Sequence, residues 1–152
     1  MAHISFKYFD TTKATQEVLK DFKPMLAIIS NTESKLDSIS EDMSSISSKQ
    51  ISDMPKSFTF TQEDKYTELI DKKLFLADRY REALAYMDWV KPAWEALSDD
   101  DRWILSNCFF DNNVFSDFKI NEIMNKFAVE RTTAYKLKNN AVERMRFYLF
   151  GK

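Results

Sequence analysis

Apolar residues near the start of the chain recur at alternating three- and four-residue steps, the heptad spacing of a helix packed lengthwise against another helix. Lys, Asp, Glu and Ser occupy the flanking positions, and Thr32 is the one polar interruption of the stripe. Pro24 lies on the polar side, where we expect it to kink the helix or to divide it into pieces at about 11–22 and 24–48. The stripe consists of Val18, Phe22, Met25, Ile29, Leu36, Ile39, Met43 and Ile46.

The serine-rich stretch 44–57 loses the helical period and is predicted to be a loop that leads into a second long helix, from about Thr61 to Ser98. Thr61 and Asp64 have the spacing of a capping box, and Pro92 is expected to bend the helix. The two apolar stripes can pair within one chain as an antiparallel hairpin or between chains as a coiled coil, and the pattern fits both. The apolar positions of the second helix are Tyr66, Leu69, Ile70, Leu74, Ala77, Tyr80, Leu84, Met87, Trp94 and Leu97.

Three shorter helices are predicted after the long ones. Ser98 is a well-marked N-cap because three aspartates follow it, and acidic side chains favour the positive end of the helix dipole. The third helix is expected to end at Asp111-Asn112-Asn113. The last two are expected at about 118–127 and 131–150, with Gly151 as the C-terminal cap. The pattern therefore predicts an all-α protein.

Composition adds to this picture by excluding chemistry. Gly151 is the one glycine among 152 residues, so the phosphate-binding loop, the dinucleotide fingerprint and the nucleophile elbow, which all need glycine, are excluded. His3 and Cys108 are single residues of their types, too few for the usual zinc site, an internal disulfide or a Ser-His-Asp triad. We predict no enzymatic activity, no metal and no cofactor. The absence of a long apolar run and of a secretory signal predicts a cytoplasmic protein without membrane contact.

Charge is distributed unevenly along the chain. Residues 119–152 contain eight basic and three acidic residues, a balance of +5, whereas residues 1–118 contain fourteen basic and twenty-one acidic residues, a balance of −7. A basic end on an acidic chain is typical of a protein whose last helices meet a polyanion. A solvated basic helix face fits the same charge balance.

The last two predicted helices have the spacing of a helix-turn-helix unit, with the tight turn at Phe127–Glu130. The small side chain of Ala134 allows the two helices to cross closely. The predicted inner face consists of Ile120, Ile123, Met124, Phe127, Val129, Ala134, Leu137, Ala141 and Met145.

The outer face of the final helix carries side chains suited to a DNA groove. Arg131 can read guanine with two hydrogen bonds, Asn139 can read adenine, and the methyl group of Thr132 can contact that of thymine. An ordinary helical corner with a solvated basic face fits the pattern as well. The candidate DNA-binding residues are Arg131, Thr132, Thr133, Tyr135, Lys136, Lys138, Asn139, Lys119, Lys126 and Arg144, with Arg146 as a further contact to the DNA backbone.

The C-terminal third of the chain, about residues 97–149, resembles the helix-turn-helix of sigma factor region 4. Glu122-Ile123-Met124 stands where that motif begins with Glu-Ile-Ala, and Ala141-Val142 stands where an Ala-Leu pair closes its core. Upstream, Leu97-Ser98-Asp99-Asp100-Asp101-Arg102 resembles the opening of the sigma domain. The resemblance implies base-facing positions at Arg131, Thr132, Tyr135 and Lys136. Ala128 stands where that motif usually has its turn glycine, and Glu130 where it usually has a capping Ser or Thr, so the resemblance implies a positive φ with some strain at Ala128 and weak capping by Glu130.

The order of the elements resembles small phage-encoded regulators of the ArpU and RinA kind, with a long helix, a serine-rich loop containing Ser52-Asp53-Met54-Pro55, a second helix and a sigma-like end. This resemblance implies a regulator that activates late or packaging genes in phages or prophages of low-GC Gram-positive bacteria. We expect an N-terminal helix and serine-rich loop at 1–60, a second helix completing a hairpin at 61–97, and a DNA-binding domain at 98–152.

The expected partners are double-stranded DNA, RNA polymerase and further copies of the chain, bound through the N-terminal helices. Two other classes of protein fit the sequence. A small terminase subunit also joins a helix-turn-helix to long helices but assembles into a ring for DNA packaging. A sigma-binding interaction protein would use its basic last helix on an acidic protein surface.

Overall fold

The computed structural model describes the backbone of residues 9–49, 59–111 and 116–151, and the side chains within these ranges except those of 47–49 and 59–62. All secondary structure in these ranges is helical, which confirms the predicted all-α class for this part of the chain. None of the helices combines the length and the apolarity that a bilayer span requires. The helices are α1 (Thr11–Lys49), α2 (Thr59–Ala96), α3 (Asp99–Phe109), α4 (Ser116–Phe127) and α5 (Arg131–Phe150).

The chain divides into two compact units. The large unit comprises Met1–Pro24 and Met87–Lys152, and the small unit comprises Met25–Tyr86. Each unit therefore combines a piece of α1 with a piece of α2, whereas the predicted segments follow the order of the helices along the chain.

In the small unit, α1 and α2 run antiparallel. The Tyr80 hydroxyl donates to Glu33 Oε1 at 3.2 Å, and Lys73 Nζ donates to Ser40 Oγ at 3.4 Å, so residue numbers rise along one helix as they fall along the other. Thr32, the polar interruption of the stripe, is buried and donates its hydroxyl to the Ile28 carbonyl. The buried hydroxyl of Thr32 is therefore hydrogen-bonded, so a polar residue is tolerated at this position of the stripe. Within the small unit, the two helices therefore lie side by side in opposite directions.

The buried stripe of α2 differs from the predicted one. Leu76, Ala83 and Val90, at seven-residue spacing, are buried, whereas Leu74 and Leu84 are exposed. Both sets have helical spacing, and the pattern of a single helix does not fix which of two apolar stripes meets the partner helix.

Pro24 does not divide the first helix, because α1 continues through it. The pyrrolidine ring lies on the exposed side of the helix. Because proline has no backbone N–H, the helix lacks the hydrogen bond to the carbonyl of Lys20, which is also an exposed residue. The helix also extends into the predicted loop as far as Lys49. Ser44 and Ser45 donate their hydroxyls to the helix carbonyls of Ser40 and Asp42, so these serines are accommodated within the last turns. The rest of the predicted loop and His3 lie outside the described residues.

The bounds of α2 also differ from the prediction. The helix begins at Thr59, so Thr61 stands inside the first turn and is not the residue that precedes the helix. At the other end, Pro92 lies within the helix and Ala96 is its last residue. The start and the end of α2 were both predicted about two residues away from their observed positions, because helix bounds are uncertain where no side-chain cap is recognised in the sequence.

The large unit contains α3, α4 and α5 together with the first turns of α1 and the last turns of α2. The predicted cap is confirmed, since the backbone N–H of Asp101 donates to Ser98 Oγ at 3.2 Å. Helix α3 ends at Phe109, earlier than predicted, and Phe110 is its C-cap. The Phe110 ring stacks on that of Phe22 at a centroid distance of 4.9 Å. The largest fully buried apolar side chains are Leu19, Val90, Ile104, Leu105, Ile120, Ile123 and Met145.

Candidate nucleic-acid interface

A short turn at residues 128–130 joins α4 to α5. Ala128 has φ of +51°, the positive value expected there, and the N–H of Val129 donates to the carbonyl of Met124 at 3.1 Å. A left-handed residue followed by this six-residue closure is the Schellman arrangement, which satisfies the free carbonyls at a helix end. The N–H of Ala134 then donates to the Glu130 carbonyl at 2.9 Å and begins α5.

Ala128→Gly is expected to raise the free energy of unfolding by about 1 kcal/mol, because alanine is strained in the left-handed region and glycine is not. Thermal or denaturant unfolding measures the change. Ala27→Gly is the matched control, since Ala27 is exposed within α1 and glycine in a helix interior lowers stability by about 0.5–1 kcal/mol. A loss of stability in both variants would show that the turn imposes no strain on Ala128.

The start of α5 is held by its first arginine instead of a cap. Glu130 occupies the N-cap position and makes no side-chain cap hydrogen bond, as predicted. The Arg131 guanidinium pairs with the Asp117 carboxylate of α4 at 2.5 Å and lies 5.9 Å from the centroid of the Tyr135 ring. Interaction with the Tyr135 side chain, followed by that with Asp117, raises the pKa of Arg131 above its ordinary value. Arg131 thus ties the first turns of α4 and α5 together.

The predicted inner face of the two helices is largely buried. Ala134 has no exposed surface, nor do Ile123 and Met145. Leu137 and Met124 are half-buried. A residue as small as alanine at position 134 leaves room for α4 on that side of α5.

Six of the candidate DNA-binding side chains on α5 are exposed. Thr132, Lys136 and Asn139 fall within an arc of about 60° around the helix axis at 3.6 residues per turn. Tyr135 is half-buried at the edge of this arc. The exposed candidates on α5 are Arg131, Thr132, Thr133, Lys136, Asn139 and Arg144.

Three of the candidate lysines have partners inside the protein. Lys119 Nζ donates to the Cys108 carbonyl at 3.0 Å and to the Asp111 carbonyl, which closes the end of α3. Lys126 Nζ lies 4.0 Å from the centroid of the Trp103 ring, a cation–π distance, and Lys138 Nζ lies 5.5 Å from that of Phe109. These contacts join α4 and α5 to α3.

The two arginines near the end of α5 are also paired. Arg144 Nη1 lies 2.6 Å from Asp101 Oδ1, and the Asp101 side chain is only 6% exposed, whereas that of Arg144 is 56% exposed. Arg146 Nη2 lies 2.7 Å from Glu143 Oε2. Sequence reasoning missed the Asp101–Arg144 pair because Asp101 is one of three aspartates in a first turn, and nothing in the sequence marks it as the buried one.

Cys108 lies near this network and is half-buried. Burial raises the pKa of its thiol, against the opposing effect of Lys138 and Lys119. The thiol is therefore protonated at neutral pH, and the nucleophilic thiolate is a minor form.

No protein-family model, no curated protein and no solved structure matches the chain. The functional interpretation therefore rests on the α4–turn–α5 unit and on the polar, partly basic face that α5 presents.

Proposed function

We propose that the protein is a cytoplasmic, DNA-binding transcriptional regulator of phage or prophage type, which works by recruitment without catalysis or a cofactor. In this proposal α4 and α5 form a sigma region 4-like helix-turn-helix, and α5 enters the major groove. The single observation that carries it is the exposed arc of Thr132, Lys136 and Asn139, opposite a buried face with Ala134 at its centre. Such an arc offers donors, an acceptor and a methyl group to base edges.

The proposal assigns different tasks to the basic residues. Lys136 faces the groove, and Arg131 reaches it only by giving up its ion pair with Asp117. Lys126 and Lys138 approach phosphates only by giving up their aromatic partners, contacts worth about 0.5–2 kcal/mol each. Lys119 and Arg144 act mainly as positioning residues, because their intramolecular partners fix α3 against α4 and α5. Thr133 and Tyr135 flank the groove-facing arc.

The N-terminal helices supply the protein contacts in this proposal, to RNA polymerase or to further copies of the chain. Leu74 and Phe75 of the small unit are 57% and 59% exposed on α2. Adjacent exposed apolar side chains of this size mark interaction surfaces more often than isolated ones do. Recruitment of polymerase to late or packaging genes is the expected outcome.

Selection of bound sequences from random duplex DNA tests the proposal, followed by affinity measurements on the selected site over a range of salt concentrations. Lys136→Ala is expected to lower affinity about fivefold to tenfold, roughly 1 kcal/mol. The dependence of affinity on salt then shows which contact Lys136 makes. If Lys136 contacts a phosphate, the slope of log affinity against log salt concentration falls by about 0.9 in the variant, and if it contacts a base edge, the slope is unchanged.

Lys72→Ala is the control, because Lys72 is also exposed but lies on α2 of the small unit, and we expect it to leave affinity unchanged. Failure of the wild-type chain to retain any duplex at low salt would overturn the proposal and favour a sigma-binding protein.

A small terminase subunit is the second candidate. The observation in its favour is the length of α1 and α2, 39 and 38 residues, since ring-forming packaging subunits also join long helices to a DNA-binding unit. The mass of the assembly in solution separates the two, because a closed ring contains many subunits.

A further inference from the structure

A cavity with a volume of about 410 Å³ lies between α3 and α4 of the large unit. Its lining residues recur at three- and four-residue steps on each helix, so each helix contributes one side to the cavity. Cavities that bind small molecules have volumes of about 300–1,000 Å³, so this one is large enough for a ligand with a single ring. The lining residues on α3 and its C-cap are Trp103, Ser106, Asn107 and Phe110, and those on α4 are Phe118, Lys119 and Glu122.

Three aromatic rings form part of the cavity wall. Trp103 and Phe110 are half-buried, whereas Phe118 is 56% exposed. The Phe110 ring stacks on Phe22, and Lys126 Nζ lies over the Trp103 ring, so contacts within the protein already hold these two rings in place. Aromatic rings attract a further ring in an offset-stacked or edge-to-face arrangement. The wall therefore favours a ligand with an aromatic ring.

The ammonium group of Lys119 has one N–H group left for a ligand. A lysine ammonium donates three hydrogen bonds, and the carbonyls of Cys108 and Asp111 accept two of those from Lys119. Both acceptors are uncharged, so these bonds do not neutralise the lysine. The side-chain amide of Asn107 also donates to the backbone carbonyl of Lys119 at 3.0 Å, which joins α3 to α4. Lys119 is therefore held in place with a donor for a carboxylate.

Glu122 supplies the opposite charge on the same side of α4. Residues three apart on a helix are neighbours, yet the Glu122 carboxylate does not pair with Lys119. Within the ranges that the structure describes, this half-buried carboxylate makes no ion pair and accepts no hydrogen bond. Lys23 and Asp111, which also line the cavity, are exposed and add one charge of each sign. The lining is therefore neutral overall and suits a ligand that carries both charges.

We propose that this cavity binds a free aromatic amino acid. The carboxylate of the ligand accepts the third hydrogen bond of Lys119, and its ammonium group donates to Glu122. The ring of the ligand contacts the aromatic wall. Hydrogen bonds between charged groups are about twice as strong as those between neutral ones, so the two charged ends fix the orientation of the ligand. The site uses none of the groove-facing residues of α5 and does not depend on the proposed DNA binding.

Calorimetric titration of the full chain with four small molecules tests the ligand chemistry. Free phenylalanine carries the ring and both charges, phenylpropanoate lacks the ammonium group, phenethylamine lacks the carboxylate, and free leucine lacks the aromatic ring. We expect saturable binding of free phenylalanine at one molecule per chain. Each of the other three is expected to bind about tenfold more weakly, because each leaves one part of the site without a partner.

Glu122→Gln tests the assigned role of the carboxylate, since it keeps the size of the side chain and removes the charge. The variant is expected to bind free phenylalanine about tenfold more weakly and to leave the affinity for phenylpropanoate unchanged. Glu130→Gln is the matched control, because Glu130 is exposed in the large unit, makes no cap hydrogen bond and does not line the cavity. It should leave the affinity for all four molecules unchanged.

Ser106→Phe tests the location of the site, because the larger side chain fills the cavity and should abolish binding of free phenylalanine. In the wild-type chain the indole N–H resonance of Trp103 is expected to shift on saturation with the ligand, as measured by nuclear magnetic resonance. Circular dichroism checks that each variant keeps its helices.

The absence of saturable binding, or binding of free phenylalanine that survives Ser106→Phe in a folded chain, overturns the site. Tighter binding of phenylpropanoate or phenethylamine than of free phenylalanine overturns the proposed ligand, as does an affinity for free phenylalanine that Glu122→Gln leaves unchanged. Retention of duplex DNA is measured separately, so these results leave the regulator proposal standing, and failure to retain DNA leaves the ligand site standing.

Discussion

Ala134→Leu is expected to lower the free energy of unfolding by about 2–3 kcal/mol and to abolish specific DNA binding. Ala134 has no exposed surface and lies on the side of α5 that faces α4, where Ile120 and Ile123 are also buried. Three additional carbon atoms have no free volume there, so α4 and α5 must move apart. Urea unfolding followed by circular dichroism gives the change in stability, and affinity for the selected duplex gives the change in function.

Ala85→Leu is the control for this substitution. Ala85 is exposed on α2, where leucine and alanine have similar helix propensities, so we expect a change within about 0.5 kcal/mol. An unchanged unfolding midpoint for Ala134→Leu would mean that the two helices do not pack closely at this position.

Arg144→Ala is expected to lower the free energy of unfolding by about 2 kcal/mol, because it leaves the buried Asp101 carboxylate without its cation. The exposure of Arg144 reduces the effect below that of a fully buried pair, since water reaches the guanidinium side of the contact. Denaturant unfolding of the full chain measures it.

The matched control is Arg81→Ala, which breaks an ion pair with Asp78 that is exposed on both sides and should cost less than about 0.5 kcal/mol. Adding Asp101→Asn to Arg144→Ala removes the buried charge as well and should recover a large part of the lost stability. Equal losses for Arg144→Ala and Arg81→Ala would show that Asp101 does not need its partner.

The sequence predicted the helices best where a terminal residue has distinctive chemistry. Ser98 and Gly151 mark their helix ends, because a hydroxyl that accepts a free N–H and a residue free to adopt φ of +70° are local devices. The predicted C-terminal bound of α5 agrees with the structure for the same reason. Where no such device exists, as at Lys49 and Thr59, the predicted ends were displaced.

Properties that depend on tertiary contacts were less predictable. The exposure of Leu74 and the burial of Leu76 depend on which side of α2 meets α1, and both leucines fit a helical period. The continuity of α1 through Pro24 depends on how well the neighbouring turns pack, as at the buried Phe22.

For the candidate interface, the sequence predicted which positions of α5 are exposed but not what the long basic side chains contact. Thr132, Lys136 and Asn139 follow from helical spacing alone. The partners of Lys119, Lys126 and Arg144 are remote in sequence and lie on α3 or at its end, within reach of a flexible side chain whose direction no local pattern specifies. A count of basic residues therefore overstates the number of cations that face outward.

Gly151 determines how the protein can be labelled. Its left-handed backbone and the bond from its N–H to the Phe147 carbonyl at 2.8 Å turn the chain away from the α5 axis. A tag fused after this residue cannot prolong α5 as a rigid rod. It starts at least five positions from Phe147 in the sequence, so a bulky fusion there would screen that ring, whereas a small fluorophore would report on its surroundings.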